Sequence, residues 1–229
     1  MKAKRVILSL FGVAAGAAGA YLAAQAYREA RAKCPPFRRT TYRTSSELIE
    51  DFRFFWDNPA VLTEMRANTR ITPAFGEKLM LAVSGVRGCR FCGSLHSRTA
   101  EALGVSQAEA SSLLRGEIAG GTVEEAPAVF FAQHYAENDG EPEADMVRTL
   151  VQSYDERTAQ DVLNYLRLFD MANLLGNTLD ALFSRCLGKP SADTTLKDEL
   201  AIVALATFGI GPLLPVLVAR AKLQGIVQL

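Results

Sequence analysis

The chain has 229 residues, which suits one ordinary domain with additional segments and is long enough to bury a hydrophobic core. Its 25 basic and 25 acidic side chains balance, so no overall charge favours nucleic acid or acidic ligands. The apolar fraction of 49% and the mean hydropathy of +0.08 are high for a soluble domain, and two uncharged stretches account for much of this excess.

The first uncharged stretch, Val6 to Tyr27, follows a basic N-terminus. As a helix it would be about 30 Å long, enough to cross the hydrocarbon core of a membrane. A cleaved signal peptide is the alternative, because Ala24-Gln25-Ala26 resembles a cleavage site. The apolar run is longer than the core of about 7–15 residues usual in signal peptides. We therefore expect residues 1–27 to be a retained transmembrane anchor.

Residues 28–44 have the composition of a basic, proline-containing linker. A solvated connector and a segment attracted to anionic lipid both fit its charge. Under the positive-inside rule the linker favours a cytoplasmic main domain, whereas the basic N-terminus has the opposite effect. We expect a cytoplasmic domain, with export after signal cleavage as the alternative.

Residues 45–190 carry helical patterns throughout, and this region is expected to be one all-α domain. The segment SSELIEDFRFFWDN is typical of a helix capped by Ser45 or Ser46. Apolar periodicity from Phe75 to Val83 predicts another helix, and several further helical segments follow up to Cys186. No run alternates polar and apolar residues convincingly, and β-branched clusters of strand length are absent from the sequence.

The second uncharged stretch, Leu200 to Ala219, lies in the hydrophobic C-terminal segment 191–229. Two glycines and two prolines interrupt it, which argues against a straight spanning helix. A buried terminal helix followed by an apolar tail at the membrane interface is the favoured interpretation, and a second span is the alternative.

The segment GCRFCGSLHS places Cys89, Cys92 and His96 in a C-x2-C-x3-H pattern. A zinc site would normally need a fourth ligand, and the other candidates, Cys34, Cys186 and His134, are isolated in sequence. A structural disulfide would close a very small loop and so constrain the unfolded chain little. A redox-active thiol pair is the interpretation that remains best supported.

The position of the pair predicts an acidic thiol. Because Gly88 precedes the cysteines, both are expected in the first turn of a helix, where unpaired N–H groups and the helix dipole favour thiolate. Arg90 adds positive charge between them. His96 follows Cys92 by one helical turn on the same face and can act as its general base.

Other polar residues have less specific surroundings. His134 is expected to be packed and hydrogen-bonded rather than catalytic, and Cys34 and Cys186 are expected to be free thiols. No metal and no cofactor are expected.

With Glu77 twelve residues before Cys89, the stretch AFGEKLMLAVSGVRGCRFCGSLH resembles the carboxymuconolactone decarboxylase superfamily, in particular its alkylhydroperoxidase D-like branch. The resemblance extends from Pro59 to Cys186 and leaves out both uncharged stretches. It implies a helical bundle that assembles into a homo-oligomer, commonly from trimers. Asn173 and Tyr165 are expected to be structural in its later helix.

The resemblance also implies a thiol peroxidase or disulfide reductase. Glu77 and His96 would relay protons to Cys92, which a peroxide converts to a sulfenic acid, and Cys89 would resolve it as a disulfide. A dithiol or thioredoxin-like donor would then reduce the pair. Phe91 stands where some relatives have a second histidine, which removes one possible relay member.

Two other functions fit the resemblance less closely. A decarboxylase of the carboxymuconolactone type is one, although the decarboxylating branch does not depend on a cysteine pair. A non-enzymatic, membrane-associated redox sensor on the same fold is the other.

Overall fold

The computed structural model describes residues 24–29, 39–117 and 122–227, and within them the chain is helical without a strand. This confirms the predicted all-α fold class. The predicted anchor up to residue 23 and linker residues 30–38, with Cys34, lie outside the described residues. The helices are α1 (Ser45–Asp57), α2 (Ala60–Ala67), α3 (Pro73–Arg87), α4 (Arg90–Ala102), α5 (Gln107–Leu114), α6 (Ala126–Glu137), α7 (Ala144–Ser153), α8 (Glu156–Cys186), α9 (Leu196–Ala204) and α10 (Leu214–Val227).

Helix α1 begins one residue earlier than the sequence suggested. The side chain of Thr44 accepts the N–H of Glu47 and caps the helix, so the prediction of Ser45 or Ser46 as the cap is wrong. Thr44, Ser45 and Ser46 are consecutive hydroxyl residues with the same capping chemistry, and only the backbone geometry distinguishes them.

Helix α3 forms the centre of the domain. Thr72 caps its N-terminus by accepting the N–H of Phe75, and Pro73 occupies the first turn, where its missing N–H is not needed. The helix packs against α4, α5, α6 and α8. Its middle residues are therefore buried on every side, and Leu79 and Leu81 to Val83 are fully inaccessible.

A buried ion pair joins the end of α3 to α8. Arg87 donates from Nε and Nη2 to the two carboxylate oxygens of Asp170, at 2.6 and 2.8 Å, and from Nη1 to Asp139 at 2.6 Å. The side chains of Arg87 and Asp170 are only 2% and 8% exposed. Burial raises the pKa of Asp170, and the Arg87 guanidinium counteracts that rise. The pair fixes α3 to the middle of the longest helix.

The C-terminal helices form one continuous helical path. A π-helical segment, Leu205–Ile210, and a short 3-10 segment, Gly211–Leu213, join α9 to α10. The prolines therefore change the hydrogen-bond pattern without ending the path. Within the described residues, Leu196–Leu223 alone is long and apolar enough to span a membrane by length and composition.

Replacing Asp170 by Asn should destabilise the fold, because it leaves the buried Arg87 charge with the mostly exposed Asp139 as its remaining carboxylate partner. We expect urea unfolding to show a loss of about 3 kcal/mol. The control is Asp145→Asn on α7, whose carboxylate pairs with Arg148 in solvent and should contribute less than about 1 kcal/mol. Equal effects of the two substitutions would contradict a special role for the buried pair.

Candidate active site: a thiol pair at a helix N-terminus

The turn between α3 and α4 positions the two cysteines. Gly88 has φ of 66°, a left-handed conformation that ends α3, and its N–H donates to the carbonyl oxygen of Ser84. The next residue, Cys89, is extended and caps α4, which begins at Arg90. Cys89 is therefore the cap and Cys92 lies in the first turn, whereas the sequence suggested that both lie in the first turn.

The two sulfur atoms are in direct contact. Both cysteines are free thiols, and Cys89 Sγ lies 2.7 Å from Cys92 Sγ. The N–H of Cys92 donates to Cys89 Sγ at 3.3 Å. Cys89 is buried, at 2% exposure, whereas Cys92 is partly exposed. Cys92 is therefore the residue of the pair that solvent reaches more easily.

The surroundings stabilise the thiolate of Cys89 rather than that of Cys92. A hydrogen bond from the Cys92 thiol lowers the pKa of Cys89 to about 7 against the effect of burial, with help from the N–H groups of Cys92 and Phe91 and from the Arg39 charge. Contact with Cys89 raises the pKa of Cys92, and burial adds to that effect. The carbonyl oxygen of Ala172 lies 3.8 Å from Cys92 Sγ and also disfavours negative charge there. The sequence predicted an acidic thiol in the pair without assigning it to one cysteine, and the lowered pKa belongs to Cys89 because it occupies the cap.

Asp180 on α8 binds two arginines next to the pair. Its carboxylate lies 2.5 Å from Arg39 Nη2 and 2.7 Å from Arg90 Nη2. The Arg39 side chain covers Gly88, which has no Cβ to obstruct it. The positive charge that acts on Cys89 thus comes from Arg39, which the motif did not indicate, and Arg90 is directed to Asp180.

Glu77 and His96, far apart in sequence, meet between α3 and α4. His96 Nδ1 lies 2.7 Å from Glu77 Oε2, and the two side chains are 24% and 18% exposed. Because an ionised carboxylate only accepts hydrogen bonds, this contact places the proton of a neutral imidazole on Nδ1. Nε2 is then the basic nitrogen, as in triads where a carboxylate orients a histidine.

Two neighbouring residues of α8 complete the site. A Cβ on Gly176 would lie 2.9 Å from Cys89 Sγ, so only glycine lets the helix approach the sulfurs this closely. Asn177 is fully buried and donates to the carbonyl oxygens of Arg87 and Thr40, at 2.8 and 2.9 Å. An isolated glycine within a helical pattern was the sequence signal that could have drawn attention to Gly176. No local sequence pattern linked Gly176 or Asn177 to the cysteines.

A cavity of about 320 Å³ opens beside Glu77. Ile71, Tyr165 and Phe169 are among the residues that give it an apolar wall, and Arg66 and Asn68 also line it. Tyr165 donates its hydroxyl hydrogen to the carbonyl oxygen of Met65, which fits the structural role expected for it.

The remaining candidates lie away from the thiols or have structural contacts. His134 accepts the N–H of Glu143 at Nε2 and contacts Asn138 and Phe131, as expected for a packed histidine. Asn173 is fully buried and donates to the carbonyl oxygen of Phe169. Cys186 is an exposed free thiol. Within the part of the chain that is described, no group of three or more His, Cys, Asp or Glu side chains is placed to hold a metal.

Comparison with known proteins gives one family match. Residues 54–134 match the model of the carboxymuconolactone decarboxylase family, and that segment contains Glu77, Cys89, Cys92 and His96. No curated protein and no solved structure matches the chain. The matched family is the one that the sequence resembles, and the match covers the segment that carries the Glu/Cys/Cys/His pattern.

Replacing Cys92 by Ala should raise the pKa of Cys89 from about 7 toward the ordinary thiol value, because it removes the thiol hydrogen bond. Cys92→Ser keeps a hydroxyl donor and should raise it less. Thiolate ultraviolet absorbance measured across pH reports the titration without requiring access to the buried sulfur. Identical titrations of the two variants would show that the hydrogen bond is unimportant.

Replacing Gly176 by Ala should push the sulfurs apart and raise the pKa of Cys89, since the new Cβ would lie 2.9 Å from one sulfur and 3.4 Å from the other. The control is Gly76→Ala, another helical glycine, where the nearest atom is a Tyr165 ring carbon at 3.6 Å. The same absorbance titration applies, and a curve for Gly176→Ala that matches the parent would refute the close contact.

Proposed function

Because residues 54–134 match the model of the carboxymuconolactone decarboxylase family, we propose that the chain is a thiol peroxidase or disulfide reductase of the alkylhydroperoxidase D-like branch. The observation that carries the proposal is the pair of free thiols 2.7 Å apart, in which the surroundings favour ionisation of one and protonation of the other. A thiol pair with only a structural role would not require such a difference in ionisation between its two sulfurs.

The first step takes place at Cys92, the more accessible sulfur. Its raised pKa means that it needs a base, and His96, one turn along the same helix face, supplies it through Nε2 while Glu77 holds Nδ1. The Cys92 sulfur attacks a peroxide oxygen and the O–O bond breaks. Cys92 becomes a sulfenic acid, and the leaving alkoxide takes the proton from His96 to form an alcohol.

The second step uses the Cys89 thiolate. It attacks the sulfur of the Cys92 sulfenic acid, the S–O bond breaks, and the hydroxide leaves as water after taking a proton from solvent. The lowered pKa of Cys89 keeps this resolving thiolate available near neutral pH. A dithiol or thioredoxin-like donor then reduces the disulfide through a mixed disulfide and carries away the two electrons.

We assign the cavity beside Glu77, whose lining includes neither cysteine, to the organic part of a peroxide. Its apolar wall, formed by Ile71, Tyr165 and Phe169, can hold the hydrocarbon part of an alkyl hydroperoxide. The homo-oligomer, the donor and a membrane location with a cytoplasmic active site remain predictions.

Two cysteine substitutions test the order of events. With tert-butyl hydroperoxide and dithiothreitol, Cys92→Ser should reduce turnover to background, whereas Cys89→Ser should accumulate a sulfenic acid that dimedone traps. Cys186→Ser, which removes an exposed thiol, is the control and should keep parental turnover. Wild-type activity in both site variants would refute the mechanism.

The pH dependence of the same trapping experiment should follow the ionisation of the Cys89 thiol. Attack on the sulfenic acid needs the Cys89 thiolate, so the sulfenic acid in the parent protein should persist longer as the pH falls through the neutral range and Cys89 becomes protonated. As the pH rises, the thiolate predominates and trapping should fall. A lifetime that does not change across this range would contradict the resolving role of Cys89.

The proton relay predicts that substitutions of its residues lower turnover, and that loss of the Glu77 charge does so without changing the ionisation of Cys89. Glu77→Gln should lower kcat/KM at least about tenfold, and His96→Ala about a hundredfold or more, because both act when protons move. Glu77→Gln should leave the absorbance titration of Cys89 unchanged. Glu101→Gln, an exposed carboxylate on the same helix as His96, is the control. A parental kcat/KM in Glu77→Gln would remove Glu77 from the relay.

A further inference from the structure

The outward face of the C-terminal helices is apolar along its whole length. No charged residue occurs from Leu200 to Ala219. Several large apolar side chains on this face are between 39% and 80% exposed: Leu200, Phe208, Leu213, Leu214, Val216 and Val218. A helix on the surface of a soluble domain normally turns charged and polar residues outward. A continuous exposed apolar face of this size indicates an apolar partner.

The opposite face of the same helices is attached to the domain at both ends. At the beginning, the fully buried Glu199 accepts two hydrogen bonds from Arg185, both at 2.8 Å. At the far end, Arg220 donates to the carbonyl oxygen of Trp56 at 3.0 Å and lies 4.5 Å from the centre of its ring.

Between these two contacts, two buried residues, Ile202 and Leu217, and the partly buried Leu205, Ala206 and Ile210 pack against the domain. Ile202 packs with Tyr42 and Leu48, and Leu217 packs with Phe52 and Phe55. From residue 199 to residue 220 the helix extends about 30 Å. A spanning helix would have to leave the polar domain over that distance, whereas this helix contacts the domain near both of its ends and, through Leu205, Ala206 and Ile210, between them.

We propose that α9 to α10 is an in-plane membrane anchor, with its outward face buried in the interfacial region of a lipid bilayer and its inward face bound to the catalytic domain. Exposed Lys197 and Lys222 lie near the two ends of the face, where they can reach lipid headgroups. The uncharged middle of the face matches the acyl chains beneath them.

The other uncharged stretch of the sequence is attached close to this face. Tyr27, its last residue, donates its hydroxyl hydrogen to the carbonyl oxygen of Cys186 at 3.0 Å. Cys186 ends α8, next to the Arg185 that binds the beginning of α9. The sequence predicts that the stretch up to Tyr27 enters a membrane, so its attachment here brings the bilayer to the start of the apolar face.

A second copy of the chain is the less suitable partner for this face. The family match ends at residue 134, so α9 and α10 lie outside it, and an assembly common to the family would use other surfaces.

Depth-dependent fluorescence quenching tests the proposal on the full chain. Leu200→Trp, Phe208→Trp and Val216→Trp each add one tryptophan along the face, and Trp56, the only tryptophan in the sequence, supplies a constant background. The variants are reconstituted in vesicles of phosphatidylcholine and phosphatidylglycerol that contain lipids brominated at shallow or deep acyl positions. Val151→Trp, at an exposed apolar position on α7, is the control and should not be quenched.

The expected result is the same shallow depth at all three positions, about 5–10 Å below the headgroups. A depth that changes steadily from Leu200 to Val216 would show a spanning helix and overturn the proposal. Absence of quenching at all three positions would also overturn it and favour cover by a second copy.

Discussion

Asn177 holds together the three segments from which the thiol site is built. Its two amide hydrogens bind the carbonyl oxygens of Arg87, at the end of α3, and of Thr40, in the segment before α1. Both bonds are shielded from water, since Asn177 is fully buried. The bond to Arg87 fixes α8 against the turn that presents Cys89. The bond to Thr40 places the neighbouring Arg39 where its charge acts on the sulfur.

The same turn explains why two identical side chains behave differently. Cys89 takes the position in which a side chain receives the free N–H groups of a helix, and so its thiolate is stabilised although it is buried. Cys92, three residues later, points to that thiolate and to the carbonyl oxygen of Ala172. One sulfur is thereby prepared to resolve, while the more accessible one depends on His96 and Glu77 for proton transfer in the proposed cycle.

Helix α8 also links this chemistry to the C-terminal helices. Ala172 and Gly176 face the sulfurs, whereas Met171, Leu174 and Leu175 pack in the cluster of Ile202. The thiol pair and the apolar helix thus contact different faces of one helix. A bilayer on the outward side of α9 would lie close to the catalytic domain as a consequence of this arrangement.

The sequence by itself determined the features that depend on near neighbours in the chain. Apolar periodicity predicted the all-α class, and Cys89, Cys92 and His96 were recognised because they are close in sequence. Glu77 was found through its spacing from the cysteines within a family pattern. The exact cap of α1 was beyond this reasoning, because three consecutive hydroxyl residues offer the same hydrogen bond.

Tertiary structure alone decided which cysteine has the lowered pKa, which arginine acts on it, and how the apolar C-terminal helix lies. Arg39 and Gly176 come next to the pair, and Asp180 binds Arg39, only after distant segments have packed, and no local periodicity encodes such contacts. Composition likewise shows that residues 196–223 form a long apolar segment, but it does not show how this segment lies against the rest of the domain. That placement is set by the ion pair of Arg185 and Glu199 and by the packing of Leu217, which close only in the folded domain.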